Sequence, residues 1–371
     1  MPDPDALALH GTATDDDIRS LIAAEAIASP SGIAETLIQP SSLDLTLSDE
    51  GYRLPGSLLP LPGERVADLL RAMALERLDL SRPVCLARGQ VYVVRLNERF
   101  ALPPGVEAYC NGKSSTGRVD VATRVLADGS PRYDRLPAGY RGAVWLELIP
   151  RSFHALIVAG VSLNQAIFFR GRQLLTQSEL LAEHRRSALA WRDGRPCPEQ
   201  VVFDGRVVMT ADLAREIVGF VAKPTHVPLD LTRSATHSPE DFFEPLPRPR
   251  RGYLFLEQGR FYILATAERV VVPRHLAGEM VPYEATAGEF RAHYAGFFDP
   301  GWGQIAGRPP GAPAVLEVRP HQDGLIVRHG QPLCAMAYER LSRPCARPYG
   351  SCANTYADQD GPRLSKHFAA R

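Results

Sequence analysis

Two short segments hold the residue types that chemistry needs. Gly112-Lys113-Ser114-Ser115-Thr116-Gly117-Arg118 joins hydroxyls, two cations and backbone amides beside glycines. Such a set donates to phosphate oxygens and offsets their charge. Val144-Trp145-Leu146-Glu147-Leu148 places one carboxylate in a strand-like apolar run. With strand alternation, Glu147 shares a face with Trp145 and Ile149, and apolar company raises a carboxyl pKa toward the range a proton shuttle needs. Together they point to phosphate on one side and proton transfer on the other. The plain alternatives are a polar turn for the first and a solvent-facing edge residue for the second.

The elements that must position these residues come from a chain of 371 residues, 45% hydrophobic, long enough for two domains with separate cores. Lys+Arg and Asp+Glu both number 42. No overall field holds such a chain to nucleic acid or an anionic membrane, and a small-molecule partner fits better. The acidic Met1 to Ile27 segment lacks the basic start and apolar core of a signal peptide, and no stretch approaches a membrane span. The six cysteines, Cys85, Cys110, Cys197, Cys334, Cys345 and Cys352, suit reduced thiols, so the expected location is cytoplasmic. A zinc site built on His-x-Glu with Pro-Cys-x-x-Cys is excluded by spacing, because Pro196-Cys197-Pro198-Glu199 and Pro344-Cys345-Ala346-Arg347 both lack the second cysteine.

An internal repeat organises the rest. Gly-x-x-Tyr-x5-Glu-Arg occurs at Gly89, Tyr92, Glu98 and Arg99, and again 170 residues on at Gly259, Tyr262, Glu268 and Arg269. At that offset Glu147 meets Glu317 in Val315-Leu316-Glu317-Val318, and Gly160 meets Gly330. Leu43-Asp44-Leu45-Thr46 recurs as Leu229-Asp230-Leu231-Thr232. Each copy opens on a capping signature before helical apolar spacing, Thr14 to Asp17 and Thr210-Ala211-Asp212. Short apolar runs follow at Gln90 to Leu96, Ala143 to Ile149, Ala155 to Val161, Phe261 to Thr266 and Leu325 to Arg328, punctuated by 32 prolines and 30 glycines. The pattern predicts a mainly β, compact barrel or sandwich in each copy. Helices are expected at Glu64 to Leu75 and at Glu179 to Trp191, the second linking the copies.

Copy two carries Ala295-Gly296-Phe297-Phe298-Asp299-Pro300-Gly301-Trp302. Asp-Pro-Gly marks a tight turn; the functional reading sets its aromatics and Asp299 around a planar base and sugar. Copy one is looser, with Asp134 and Gly139-Tyr140-Arg141-Gly142. Copy two lacks the hydroxyl and cation word, so anion binding belongs to copy one. The polar end, with Tyr349, Tyr356, Gln359 and Gly361, reads as a frayed terminus or a lid over a ligand.

These words resemble the dCTP deaminase family, related to trimeric dUTPases, over most of both copies. The family's Ile-Gln-Pro-x-Ser-x-Asp-Leu word appears as Ile38-Gln39-Pro40-Ser41-Ser42-Leu43-Asp44-Leu45, and its Arg-Ser-Ser-x-x-Arg word as Lys113 to Arg118 with lysine first. Its alanine beside the base falls on Ala127, its Ala-Gly-Phe-x-Asp-Pro-Gly-Trp word on Ala295 to Trp302, and its Leu-Glu strand on Glu147 and Glu317. The resemblance implies two tandem dUTPase-like β-clip barrels: copy one over 1–178, a helical linker over 179–202, copy two over 203–341 and a tail over 342–371. It implies zinc-independent deamination of dCTP to dUTP and ammonia, with Mg²⁺ carried on the triphosphate. Glu147, Glu317, Ser114 and Arg118 would be catalytic, and Lys113, Ser115, Ala127, Asp134, Ala295, Asp299, Trp302, Tyr349, Tyr356 and Gln359 would bind substrate. Sites formed between neighbouring copies imply a homo-oligomer. Two rivals are a dUTP pyrophosphatase or bifunctional dCTP to dUMP enzyme, and a non-catalytic nucleotide sensor. The extra loop Gly307 to Pro313 is expected to displace Glu317 from the place Glu147 occupies.

Overall fold

A computed structural model of the chain describes residues 9–283, 296–320, 324–351 and 355–369. Two compact units emerge, one of Met1–Arg172, Pro224–His237 and Lys366–Arg371, the other of Gln173–Lys223 and Ser238–Ser365. Both are dominated by strands, the fold class of dUTPase-like β-clip barrels.

In unit one, α1 (Asp15–Ala23) starts where the Thr14 N–H donates to the Asp17 carboxylate at 2.9 Å. That bond satisfies a helix-end donor, as the spacing predicts. The main sheet contains β1 (Leu43–Leu54), β2 (Val91–Ala101), β3 (Glu107–Gly112), β4 (Val121–Ala127), β5 (Arg141–Pro150) and β6 (Ser162–Arg170). Their order is β4-β5-β2-β1-β6-β3, and β3 packs beside β4, so the sheet nearly closes. Val144–Leu148 is buried on both faces, which an open sheet would not allow. The reason is α2 (Val66–Met73), whose Val66 and Leu70 pack on Val93, Leu126 and Trp145. Each such buried aliphatic side chain stabilises by roughly 1.5–3 kcal/mol.

Unit two opens with α4 (Gln177–Arg186), then β7 (Arg206–Thr210), β8 (Ile217–Ala222), β9 (Tyr262–Val270), β10 (Leu276–Pro282), β11 (Ala312–Val318) and β12 (Pro332–Arg340). β9 joins β8 and β11 in one sheet; β12 joins β7 and β10 in another. Leu264, Leu316, Met336 and Tyr338 lie in one core with Leu180 of α4. The helix expected to link the copies is therefore part of unit two, and Ala190–Arg192 beyond it is a strand.

The duplication is real in register, although one matched word is not. Glu98 accepts from the Thr46 N–H at 2.9 Å and its hydroxyl at 2.7 Å. Glu268 accepts in the same way from Thr210, at 2.6 Å from the N–H and 3.0 Å from the hydroxyl. Thr210, not Thr232, is thus the counterpart of Thr46. Leu229–Asp230 instead forms a strand in unit one, parallel to Ala155–Ile157. No helix follows Thr210 either: Asp212 accepts from the Ala214 N–H at 3.0 Å and pairs with Arg215, and the chain enters β8. The local Thr-x-Asp word suits a turn as well as a helix start, and sheet pairing decides between them.

Candidate active site

Glu147 sits in β5 between Val93 of β2 and Arg124 of β4. It is 1% exposed. The Ser57 hydroxyl donates to its Oε1 at 3.2 Å, the Leu58 N–H to Oε2 at 3.3 Å, and an Arg124 amine lies 3.6 Å away. Burial raises its pKa, against the opposing pull of Arg124, Leu58 and Ser57. This is the environment expected of a proton shuttle, and its cause is the cover that α2 and the preceding loop lay over one face of β5.

The word from Gly112 to Arg118 is more regular than a turn. Ser114–Gly117 forms a single helical turn, α3, between β3 and β4. The Thr116 hydroxyl donates to the Leu163 carbonyl at 2.9 Å and fixes that turn on β6. Gly112 is required by close approach, since a Cβ there would stand 2.9 Å from the Thr123 hydroxyl. Ser114 is exposed, whereas Ser115 and Arg118 are buried. Lys113 pairs with Asp44.

The Gln39 to Asp44 word explains itself in register. Gln165 of β6 lies between Asp44 and Asn111. Ser42 donates to the Gln165 carbonyl at 3.1 Å, and the Gln165 amide donates to Asn111 at 2.9 Å. Asp44 Oδ1 and Asn111 Nδ2 are buried with no hydrogen-bond partner among the described residues. A carboxylate oxygen is a ligand type of Mg²⁺, but the same carboxylate pairs with Lys113 and no cluster of three His, Cys, Asp or Glu stands among the described residues, so Mg²⁺ here would be held by a triphosphate and not by a protein donor set.

The two clusters stay apart within unit one. Val121 pairs with Pro150, three residues from Glu147, so α3 lies beyond a point on the order of 10 Å along the ladder from that carboxylate. Ala127, expected beside a base, is buried opposite Val144.

In unit two, Glu317 pairs with Ile263, the position 170 residues beyond Val93. The Gly307 to Pro313 insertion therefore does not move Glu317 off the place Glu147 occupies, contrary to expectation, because β11 resumes its pairing at Ala312. Trp302 packs edge-on to Phe298 at 5.0 Å and beside Tyr349 at 5.1 Å. Gly301, at φ +95°, permits this, as a Cβ there would stand 2.5 Å from Pro348. The Tyr356 N–H donates to the Tyr349 hydroxyl at 3.3 Å, and the Gln359 amide to the Pro313 carbonyl at 2.7 Å. The tail is thus packed on the Asp299 to Trp302 turn. Trp302 Nε1 and Gln359 Oε1 are buried and have no hydrogen-bond partner among the described residues. Ala295 lies outside the described residues.

Asp134 carries a strongly raised carboxyl pKa. It accepts from the Val125 N–H at 2.7 Å, and burial pushes its carboxyl up to about 7, with Arg124 and Arg135 opposing and Glu147 adding to the rise. A folded pKa above the unfolded one contributes stability that is full below about pH 4 and is lost as pH rises to about 7. Asp134→Asn keeps the acceptor and tolerates the φ of 58°. Its melting temperature should match wild type near pH 4, gain through pH 7 and level off above, with a ceiling of about 4 kcal/mol. Thermal melts at pH 4, 6 and 8 check this; a constant difference across them would remove the titration.

Ser57, Arg124 and Lys366 went unnoticed in the sequence. Lys366 has its pKa lowered by burial and next by Lys113, with Asp44 opposing, so it stands close to both. No spacing links residues so far apart, and only the fold brings them together.

Against models of protein families, residues 9–172 match the N-terminal domain of 2'-deoxycytidine 5'-triphosphate deaminase and residues 176–368 its C-terminal domain. A comparison with curated protein sequences gives no significant match. Among solved structures, the chain is similar to the crystal structure of 2'-deoxycytidine 5'-triphosphate deaminase from Agrobacterium tumefaciens. The two share 38% identity with a TM-score of 0.83, covering 90% of this chain and 98% of that one.

Proposed function

From the premise that the chain belongs to the 2'-deoxycytidine 5'-triphosphate deaminase family, we propose that it converts dCTP to dUTP and ammonia without zinc, feeding dUMP and dTTP synthesis. One observation carries the reading: a buried glutamate stands at the same ladder position in both copies, Glu147 against Val93 and Glu317 against Ile263. The zinc-independent form rests on the sequence, where the His-x-Glu and Pro-Cys-x-x-Cys words are missing.

In the proposed mechanism the carboxylate takes a proton from water, and the hydroxide bonds to C4 of cytosine. The resulting carboxylic acid gives that proton to the ring nitrogen N3; the carboxylate then takes the proton of the new C4 hydroxyl and passes it to the exocyclic amine, so the C4=O bond forms, the C4–N4 bond breaks and ammonia leaves. Ser114 and Arg118 hold the water and the developing charge, while Lys113 and Ser115 hold phosphate. Mg²⁺ on the triphosphate would supply charge neutralisation, with Asp44 the nearest carboxylate of the phosphate cluster. The separation of Glu147 from α3 within unit one supports a homo-oligomer in which a second chain completes the site. Asp134, Asp299, Trp302, Tyr349, Tyr356 and Gln359 are proposed substrate contacts.

Purified protein incubated with dCTP and Mg²⁺ in chelator-treated buffer should release ammonia and dUTP in equal amounts. Ammonia with dUMP and pyrophosphate would instead establish the bifunctional enzyme, and unchanged dCTP would overturn the zinc-independent reading.

A further inference from the structure

The end of the β2–β5 ladder in unit one carries a cluster of residues to which the proposed mechanism assigns no role. A cavity of about 540 Å³ opens there, walled by Tyr52 and Trp145, whose ring centroids are 6.1 Å apart. Five guanidinium groups line it, from Arg65, Arg71, Arg95, Arg99 and Arg141, against two carboxylates. Both carboxylates are engaged. Glu50 accepts from the Tyr52 hydroxyl at 2.7 Å and pairs with Arg95 at 3.5 Å, and Asp128 accepts from the Val66 N–H at 2.8 Å. Arg71 pairs with Asp68 outside the cavity. The side chains of Arg65, Arg99 and Arg141 make no hydrogen bond or ion pair among the described residues.

Unit two shows what this place in the fold is built to hold. Arg99 pairs in the ladder with Ala143, and its counterpart Arg269 pairs with Pro313. Arg269 likewise lines a cavity, of about 730 Å³. There its guanidinium is met by the carboxylate of Asp360, delivered by the tail. The same arginine at the same ladder position is thus neutralised by an internal anion in one copy and left open in the other.

We propose that the unit one cavity is a binding site for a polyphosphate group, held by Arg99, Arg141 and Arg65 with the Tyr52 and Trp145 rings as its wall. Planar guanidinium forks match phosphate oxygens, and several converging on one cavity favour a multiply charged anion over a lone carboxylate. The source is either a free polyphosphate or the phosphate tail of a nucleotide, whose base the aromatic wall would meet.

The test uses the full-length chain carrying Glu147→Gln and Glu317→Gln, so that saturating dCTP is bound and not consumed. Calorimetric titration with inorganic tripolyphosphate in the presence of dCTP should show binding. Adding Arg99→Ala and Arg141→Ala, both exposed, should weaken it at least tenfold with the melting temperature unchanged. Equal affinity for tripolyphosphate and ATP would mark free polyphosphate as the ligand, and tighter ATP binding would mark a nucleotide. Three results would overturn the proposal: unchanged affinity in the arginine variant, loss of tripolyphosphate binding whenever dCTP is present, or a change of oligomeric mass in that variant without an effect on the anion. The last would mean that a second copy of the chain fills the cavity.

Discussion

Replacing both Glu147 and Glu317 by glutamine is expected to lower kcat for dCTP by about 10³-fold while leaving KM within roughly threefold, because glutamine keeps shape and polarity but cannot take the proton from water. The single variants divide the work. Whichever one reproduces the full loss names the catalytic residue, and two half-losses would mean that both copies turn over. Full activity in the double variant would end the proposal. Folding is not the confounder here. At Glu147 the Ser57 hydroxyl and the Leu58 N–H can still donate to the amide oxygen, and the Arg124 amine 3.6 Å away belongs to a half-exposed side chain. Burial raises the Glu147 pKa, so the ionised form is the costly one once pH exceeds that raised value. Glu147→Gln should therefore melt no lower than wild type at pH 8. The same shift sets the kinetics: the base must be ionised, so kcat/KM should fall on the acid side at a pH above the ordinary carboxylate range. If Glu147 is the base, Glu147→Gln should abolish that limb.

Arg118→Ala is expected to cost 10²–10³-fold in kcat/KM, about the loss that follows removal of one preorganised group facing developing charge. Arg118 is 3% exposed, so the alanine also leaves a buried hole, and its kinetics alone would not separate charge from packing. Arg118→Lys keeps the charge and most of the volume but loses the planar fork. It should keep the wild-type fold by circular dichroism yet recover only part of the activity. Ser114→Ala supplies the independent arm, because the side chain is exposed and its removal leaves the packing alone. A loss of about tenfold in kcat/KM is expected there. Wild-type kinetics in both Arg118→Lys and Ser114→Ala would move phosphate and charge binding away from α3.

Much of the mainly β character was legible because strand signals are local. Leu325–Arg328 falls where the apolar run predicts it, Arg141–Pro150 contains its predicted segment, and Val91–Ala101 starts one residue after the predicted Gln90 and runs past Leu96. The duplication was legible where matched words lie in paired strands, since Glu98 and Glu268 each accept from an equivalent threonine hydroxyl, Thr46 and Thr210, which keeps a buried carboxylate satisfied. At Glu147 and at Lys113 to Arg118 the residue types suggested a chemistry, and the structure adds that Glu147 is buried and that Ser114–Gly117 forms a helical turn. Sequence failed where two structures share one local signal. Leu229–Thr232 repeats Leu43–Thr46 in letters, yet a strand is defined by its partner, and Leu229 pairs with Ala155 in unit one. Thr210–Asp212 carries a helix-start word, but Asp212 spends its carboxylate on a turn and on Arg215. Tertiary structure alone decided that Ser57 and α2 cover Glu147, that Lys366 stands beside Lys113, and that Asp360 meets Arg269 while Arg99 stays open. Each of those joins residues far apart in the chain, and the free energy that joins them comes from apolar burial and sheet pairing elsewhere in the unit, which no local spacing records.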